Sequence, residues 1–291
     1  MAEYKRFEVT WKRRLNDNMV WMKIYAPLVA KHAKPGQFII LRTDEYGERI
    51  PLTMAGHNEE DGTIDLIYAA VGRTTMLMDQ IEVGECFADI VGPLGKPTHM
   101  EGLKSVCVVG GGTGNALAYP LACGMKDAGV DTYMVEGFKT KELVILEEEL
   151  KEHLGDDHVF VVTDDGSYGE HGFVTVKLQE LLEKGNKYDA VLAIGPIPMM
   201  KFVCKTTEPF GVKTMVSLNP IMIDGTGMCG GCRVTVGGEV KFACVDGPEF
   251  DGHKVDFAEL MSRNGTYTCR EKEVTDTHAC RMEAMGKALI K

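Results

Sequence analysis

Val106-Cys107-Val108-Val109-Gly110-Gly111-Gly112-Thr113-Gly114 is the stretch on which the reading of this chain turns. A continuous apolar run breaks into glycines, and residues Asn115 to Ala128 then follow with helical character. A strand that ends in glycines and opens a helix lets backbone N–H groups approach a pyrophosphate, and the helix N-terminus adds partial positive charge. Tight strand–helix turns also need glycine for steric reasons alone, so the surroundings decide. Thr132–Val135, Val159–Val162 and Ala190–Ile194 read as further buried strands, with helix-like segments at Glu142–Leu154 and Val174–Glu183. Strands alternating with helices imply a doubly wound parallel α/β domain with both faces covered, expected over residues 99–218. In that setting the glycines read as a nucleotide-binding turn.

Two further features of this domain bear on the nucleotide. Glu136 ends the second strand, where a carboxylate accepts from a ribose 2′-hydroxyl and repels a 2′-phosphate. A plain surface carboxylate is an equally good reading, and Lys139 nearby leaves NAD and NADP unseparated. Gly195-Pro196-Ile197-Pro198-Met199 follows the strand 190–194. As a loop outside the C-terminal strand ends it would face a nicotinamide, although a proline-stiffened connection reads the same way.

Upstream, residues 1–98 hold short β segments at 7–11, 20–24, 38–41 and 63–68. Turn signals separate them at Lys34-Pro35-Gly36-Gln37, Glu60-Asp61-Gly62 and Val91-Gly92-Pro93-Leu94-Gly95. Regular short strands of this kind suggest a small antiparallel β-barrel. Downstream, residues 219–262 are rich in Gly and Cys, and Arg233–Val236 and Glu239–Phe242 straddle Gly237-Gly238, a hairpin signal. A segment this short buries too little apolar area to stand alone, so something must staple it.

The spacing Asp224-x4-Cys229-x2-Cys232-x11-Cys244 supplies a candidate staple. Plant-type ferredoxins hold a [2Fe–2S] cluster with Cys-x4-Cys-x2-Cys and a distant fourth Cys; here Asp224 stands at the first position. Glycines 225, 227, 230 and 231 allow backbone N–H groups to turn toward cluster sulfurs. Structural zinc is the competing reading, since Cys229-x2-Cys232 is also a zinc half-site. The tail, 263–291, carries Cys269 and Cys280 and is read as incidental or as a partner contact.

Asp plus Glu number 43 against 32 Lys plus Arg, a net charge of -11. That balance argues against a nucleic-acid partner, which requires clustered cations. No apolar stretch reaches the roughly 18–20 residues of a membrane span, and no signal-peptide core is evident at the N-terminus. The expectation is a cytoplasmic protein whose nine cysteines are thiols or metal ligands before disulfides. Cys86, Cys107, Cys123 and Cys204 are expected to be small buried hydrophobes.

The order barrel, Gly-rich α/β domain and Cys-rich module resembles the ferredoxin–NADP reductase superfamily. Within it the chain is similar to the electron-transfer subunits of dihydroorotate dehydrogenase B. It is more similar still to the small subunits of electron-bifurcating NADH-dependent reduced ferredoxin:NADP oxidoreductases, the sulfide dehydrogenase subunit type. The resemblance rests on Glu48–Thr53, Gly110–Gly114, Thr163–Ser167, Ser217–Met222 and, above all, Asp224–Cys232. It implies an FAD site at Arg49, Pro51, Leu52, Thr53, Tyr68, Ala69, Val71, Gly72, Thr74 and Thr75. It implies an NAD(H) site at Gly110, Gly111, Gly112, Thr113, Gly114, Glu136, Asp165, Gly195, Pro196 and Met199. It assigns Asp224, Cys229, Cys232 and Cys244 to a [2Fe–2S] cluster, with aspartate as first ligand being the variant of the bifurcating family. Ile194 replaces the cysteine that many such reductases carry before Gly-Pro, and no catalytic side chain is implied, because the cofactors do the chemistry. The implied partner is a larger FAD/[4Fe–4S] subunit, where NADP(H) and ferredoxin react. The pyrimidine-pathway subunit is the alternative, and a non-enzymatic nucleotide-binding module with structural zinc is an alternative of another class.

Overall fold

The computed structural model describes residues 4–273. Cys280 and the tail beyond residue 273 lie outside them.

The first six strands are β1 (Val9–Arg14), β2 (Met19–Tyr25), β3 (Phe38–Arg42), β4 (Ile50–Asn58), β5 (Thr63–Ala69) and β6 (Asp89–Leu94). They form one antiparallel sheet in the order β1-β2-β5-β4-β3-β6. The two ends meet through Val9 N–H to Glu85 O at 2.8 Å and Phe87 N–H to Phe7 O at 3.1 Å, which curls the sheet into a barrel. Short helices α1 (Pro27–Ala30) and α2 (Arg73–Met78) cover its ends. Met22, Ile24, Ile39, Leu41, Ile64 and Leu66 fill the interior. The expected turn at Val91–Gly95 is instead mostly β6. Proline lacks a donor, and an outer strand loses little by that, so Pro93 is tolerated there. β4, absent from the expectation, pairs β3 with β5.

The second sheet has seven strands, and its parallel part alternates with helices in sequence. These elements are β7 (Ser105–Gly111), α3 (Asn115–Asp127), β8 (Asp131–Phe138), α4 (Glu147–Leu154), β9 (Val159–Thr163), β10 (Glu170–His171), α5 (Val174–Glu183), β11 (Ala190–Ile194), α6 (Ile197–Thr207) and β12 (Thr214–Ser217). The order β10-β9-β8-β7-β11-β12 is parallel throughout. Odd-numbered residues of β7 and β8 (Cys107, Val109, Val135) face α5 and α6, while Val106, Val108 and Met134 face α3 and α4. α4 starts five residues later than expected because Leu146 takes a left-handed φ of 63°. The Pro196–Met199 loop is the start of α6, with Pro198 in the first turn, where a missing N–H is harmless.

The remaining elements are β13 (Arg233–Val236), β14 (Glu239–Phe242), α7 (Ala243–Asp246), β15 (Glu249–Asp251) and α8 (Phe257–Asn264). β13 and β14 form the expected hairpin, with Gly237 and Gly238 at φ 60° and 80°. β15 leaves the hairpin and adds antiparallel to β12 as the edge of the large sheet. Cys107 and Cys204 are buried as expected and Cys123 is half-buried; Cys86, in an isolated bridge with Glu8, is exposed, against the expectation.

At the start of β15, Glu249 accepts a hydrogen bond from Thr98 Oγ1 at 2.6 Å, and burial pushes its carboxyl up to about 7. A carboxyl raised from 4.5 contributes stability that is full below about pH 4.5 and is lost as pH rises through about 7. We expect thermal unfolding of Glu249→Gln to be flatter than wild type between pH 5 and 8, with the variant gaining on the order of 2 kcal/mol at the upper end. Parallel curves for the two proteins would contradict this.

Candidate functional site

The glycine turn sits where β7 ends and α3 begins. A Cβ on Gly114 would lie 2.3 Å from the Ile194 carbonyl, so only glycine lets this turn approach the end of β11. Gly112, at φ 55°, has no heavy atom within 4 Å of its would-be Cβ and is exposed with Thr113. Its backbone is thus open to a ligand at the start of a 13-residue helix. Asn115, which the sequence reading passed over, is fully buried. Its Nδ2 donates to Gly112 O at 3.1 Å and Gly137 O at 2.9 Å, clamping the turn to the end of β8. An asparagine directly after a glycine turn was the available signal.

A cavity of about 510 Å³ opens over this turn, lined by Gly111, Gly112, Gly137, Pro196 and Met199 among the anticipated region, and by Phe138, Lys139, Asp164, Phe173, Val174, Thr175 and Phe202. Glu136 does not reach it. Side chains alternate along a strand, and Glu136 points to the α4 face with no exposure and neither carboxylate oxygen bonded. Burial, then Glu147, raise its carboxyl well above the usual carboxylate range. A group so enclosed cannot accept from a ribose, which corrects that expectation. Asp165 also turns away, accepting from Ser167 N–H at 2.9 Å and Ser167 Oγ at 2.6 Å; its neighbour Asp164 lines the cavity instead.

A second cavity, of about 400 Å³, lies between the barrel and the α/β domain. Pro51, Leu52 and Thr53 of β4 form one wall; Thr113, Gly114, Gly195 and Pro196 form the opposite one. Ser217, Leu218, Asn219 and Met222 close it. Residues anticipated for the flavin and for the nicotinamide therefore share one chamber, with apolar surfaces for a flat ring and hydroxyl and amide groups for its polar edge. Gly72, Thr74 and Thr75 form a second group on the barrel: Thr74 Oγ1 donates to Glu48 Oε2 at 2.7 Å, and Thr75 Oγ1 accepts from the N–H groups of Val71 and Gly72; Arg49 instead meets Ile223 O and Asp89. Val71 is exposed and Ala69 is half-buried. The Tyr68 ring packs in the barrel core, with its hydroxyl unbonded.

The four residues anticipated as cluster ligands lie in one loop and the helix that faces it. Asp224 accepts backbone N–H bonds from Thr226 at 2.9 Å, Cys229 at 3.0 Å and Met228 at 3.1 Å; these hold its carboxyl below the usual range, Thr226 foremost. The Cys229 thiol adds to this lowering. Cys244 N–H donates to Cys232 Sγ at 3.4 Å, and burial, then Cys232, push the Cys244 thiol up to about 12. The donors thus fall into two pairs, Asp224 with Cys229 and Cys232 with Cys244. Among the described residues no three His, Cys, Asp or Glu side chains meet in a set for one metal ion. Two pairs suit two irons with two ligands each better than one zinc. A Cβ on Gly225 would sit 2.7 Å from Leu94 Cδ1 and 3.0 Å from Ile40 Cδ1, so the loop lies flat on the barrel.

Comparison with known proteins agrees with this arrangement. Residues 219–256 match the iron–sulfur cluster binding domain of dihydroorotate dehydrogenase B, and residues 108–205 match the oxidoreductase NAD-binding domain. The dihydroorotate dehydrogenase B (NAD(+)) electron transfer subunit homolog of Thermotoga maritima is 46% identical over 265 residues, covering 91% of this chain and 93% of that protein. The electron transfer subunit of Geobacillus thermodenitrificans is 31% identical over 264 residues, covering 88% and 99%. A solved structure of an NADH-dependent reduced ferredoxin–NADP oxidoreductase, described for flavin-based electron bifurcation, superposes with a TM-score of 0.90 at 42% identity, covering 96% of this chain and 100% of that one. The cytochrome b5 reductase domain of Ulva prolifera nitrate reductase shares the fold alone, with a TM-score of 0.59 at 18% identity, covering 71% and 92%.

These likenesses define an NAD(H)-dependent flavin and iron–sulfur oxidoreductase subunit of the ferredoxin–NADP reductase type, with FAD, NAD(H) and a [2Fe–2S] cluster as its cofactors. The chain belongs to the family of dihydroorotate dehydrogenase B electron-transfer subunits and their homologues.

Replacing Glu136 by Gln provides a check on its new placement. We expect the NADH KM to stay within about twofold and the stability of the variant relative to wild type to rise from pH 5 to pH 8. The sign follows from a raised folded pKa, which removes stability as pH climbs. A tenfold rise in KM would return the side chain to the nucleotide.

Proposed function

We propose that this chain exchanges electrons with NAD(H) at FAD and relays them singly through its [2Fe–2S] cluster to a larger partner subunit. The observation that carries this reading is the continuity of one segment. Ser217, Asn219 and Met222 close the interdomain cavity, and two residues beyond Met222 the chain reaches Asp224. FAD, when bound, takes a two-electron equivalent from NADH and delivers it in single electrons, and the cluster accepts one at a time.

The residues divide the labour. Gly112 and Thr113 present open backbone at the α3 N-terminus to a pyrophosphate, and Gly114 brings that turn against the end of β11. Asp164 and Lys139 stand at the outer part of the nucleotide cavity, where they take over the discrimination first sought at Glu136. Pro51, Leu52 and Thr53 wall the flavin side, with Arg49, Gly72, Thr74 and Thr75 holding the remainder of FAD. Pro196 faces both cavities and keeps water from the space between two flat rings. Asp224, Cys229, Cys232 and Cys244 hold the cluster. Ile223 and Met228 are 53% and 88% exposed beside the ligands, an apolar rim fitted to a partner protein.

For the partner we propose an FAD/[4Fe–4S] subunit serving NADP(H) and ferredoxin, with flavin-based bifurcation as the overall process; the likeness to an NADH-dependent reduced ferredoxin–NADP oxidoreductase supports this reading. Asp224 favours this over the pyrimidine-pathway subunit. No described helix is long and apolar enough to cross a membrane.

The protein purified without oxygen should carry about one FAD and two irons per chain, and NADH should bleach its visible absorption while NADPH acts at least tenfold more slowly. Asp224→Cys should retain the cluster with a changed potential, because a thiolate is softer than a carboxylate. Stoichiometric zinc and no visible absorption would contradict the reading.

A further inference from the structure

Three arginines from separate parts of the chain grip backbone carbonyls of the ligand loop. Arg49, beside β4 of the barrel, donates from Nε to Ile223 O at 2.9 Å, the carbonyl directly before Asp224. Arg233, opening β13, donates from NH1 to Gly230 O at 3.2 Å. Arg263, in the last turn of α8, donates from NH2 to Gly231 O at 3.1 Å. Gly230 and Gly231 are the two residues between Cys229 and Cys232.

The peptide plane turns these contacts into a statement about the cluster. In a trans peptide the C=O and the following N–H point in opposite directions. The Gly230 carbonyl faces Arg233, and the N–H of the same peptide, on Gly231, points to Cys229 Sγ at 3.4 Å. The next peptide is held alike: its carbonyl accepts from Arg263, which turns the Cys232 N–H away from the guanidinium. Each arginine therefore holds a peptide dipole with its positive end turned away from itself, and at Gly231 that end meets a ligand sulfur. Hydrogen bonds to ligand sulfurs and nearby positive charge both favour the more negative, reduced form of such a cluster.

Arg263 is the informative member. It stands on α8, beyond the matched iron–sulfur domain that ends at residue 256. α8 is fixed independently of the cluster: Asp256 caps it by accepting from Ala258 N–H and Glu259 N–H at 3.0 Å each, and Leu260 is buried in the main core. Its neighbour Asn264 donates to Asn219 O at 3.3 Å, so two consecutive residues of α8 tie down both ends of the module's opening segment. A cavity of about 320 Å³ lies between α8 and the loop, with Arg233 and Arg263 on its wall, leaving the guanidinium groups room to keep their bonds as the loop takes up its cofactor.

We propose that Arg263, supported by Arg233 and Arg49, is a positioning residue that orients the peptides of the ligand loop and raises the reduction potential of the [2Fe–2S] cluster. The inference rests on the cluster assignment made above. The test is an EPR-monitored redox titration of the full-length protein with its cofactors, comparing wild type with Arg263→Gln, Arg263→Lys and Arg233→Gln. Wild type is measured first: absence of a cluster signal there fails the assignment itself, a result distinct from any difference among variants. With the cluster present, Arg263→Gln should lower the reduced-to-oxidised ratio at a fixed ambient potential about tenfold, which is about 59 mV for one electron. Arg263→Lys, which keeps the charge, should stay within about threefold of wild type, and Arg233→Gln should shift in the same direction by less, because its guanidinium is exposed. Equal potentials in wild type and Arg263→Gln overturn the proposal, as does a shift in Arg263→Lys as large as that in Arg263→Gln. If Arg263→Gln assembles no cluster, Arg233→Gln decides: a lowered potential supports the proposal and an unchanged one overturns it.

Discussion

The structure depends on one shared apolar core between barrel and α/β domain. Met19, Ala55 and Ile67 from the barrel pack into the same cluster as Ala116, Leu121, Met125 and Leu150 from α3 and α4. Trp21 extends this contact: its ring meets Tyr119 of α3 edge-on at 6.1 Å, and its Nε1 donates to Asp65 at 2.7 Å within the barrel. Burial of this kind contributes roughly 25 cal/mol per Å² of apolar surface. It fixes the barrel against the very helix whose N-terminus carries the glycine turn. Because α3 is common to both contacts, the interdomain chamber has walls that cannot drift apart independently. The positions of β4 and of the Gly195-Pro196 segment across that chamber follow from this.

Two carboxylates of the chain are held in opposite ways, and the difference is physical. Asp224 keeps its charge because three backbone N–H groups converge on it in an exposed loop. Glu136 lies at the opposite extreme, buried with two unbonded oxygens, and burial raises its carboxyl well above the usual carboxylate range. A carboxylate proposed as an iron ligand must be available as an anion, and the loop holds it so through backbone N–H groups alone. The cost is a segment made of glycines with little apolar burial of its own. It is met by leaning Gly225 on Leu94 and Ile40 and by the carbonyl contacts of Arg49, Arg233 and Arg263.

Much of this was legible in the sequence, for identifiable reasons. Buried parallel strands announce themselves as apolar runs, and the Val106–Val109, Val159–Val162 and Ala190–Ile194 segments lie within β7, β9 and β11. The hairpin around Gly237-Gly238 was set by two residues with positive φ. Glu136 was misread because strand-end position fixes proximity to a ligand but not the face onto which a side chain points. The Pro196–Met199 segment was misread because proline in a first helical turn looks like proline in a loop. β6 escaped notice because Gly92 and Pro93 inside it read as a turn, and a three-residue edge strand such as Glu249–Asp251 is defined by its neighbour rather than by its own residues. The arginine contacts were beyond reach, since residues 49, 233 and 263 meet one loop only through tertiary packing.

The central claim is that reducing equivalents from NADH reach a two-iron cluster held by Asp224, Cys229, Cys232 and Cys244. Its most direct test is the EPR spectrum of the anaerobically purified protein after addition of NADH alone. The account expects a spin-half signal integrating to about one cluster per chain. A silent spectrum from protein that contains reduced flavin would contradict the relay and leave a flavin reductase without an iron–sulfur exit.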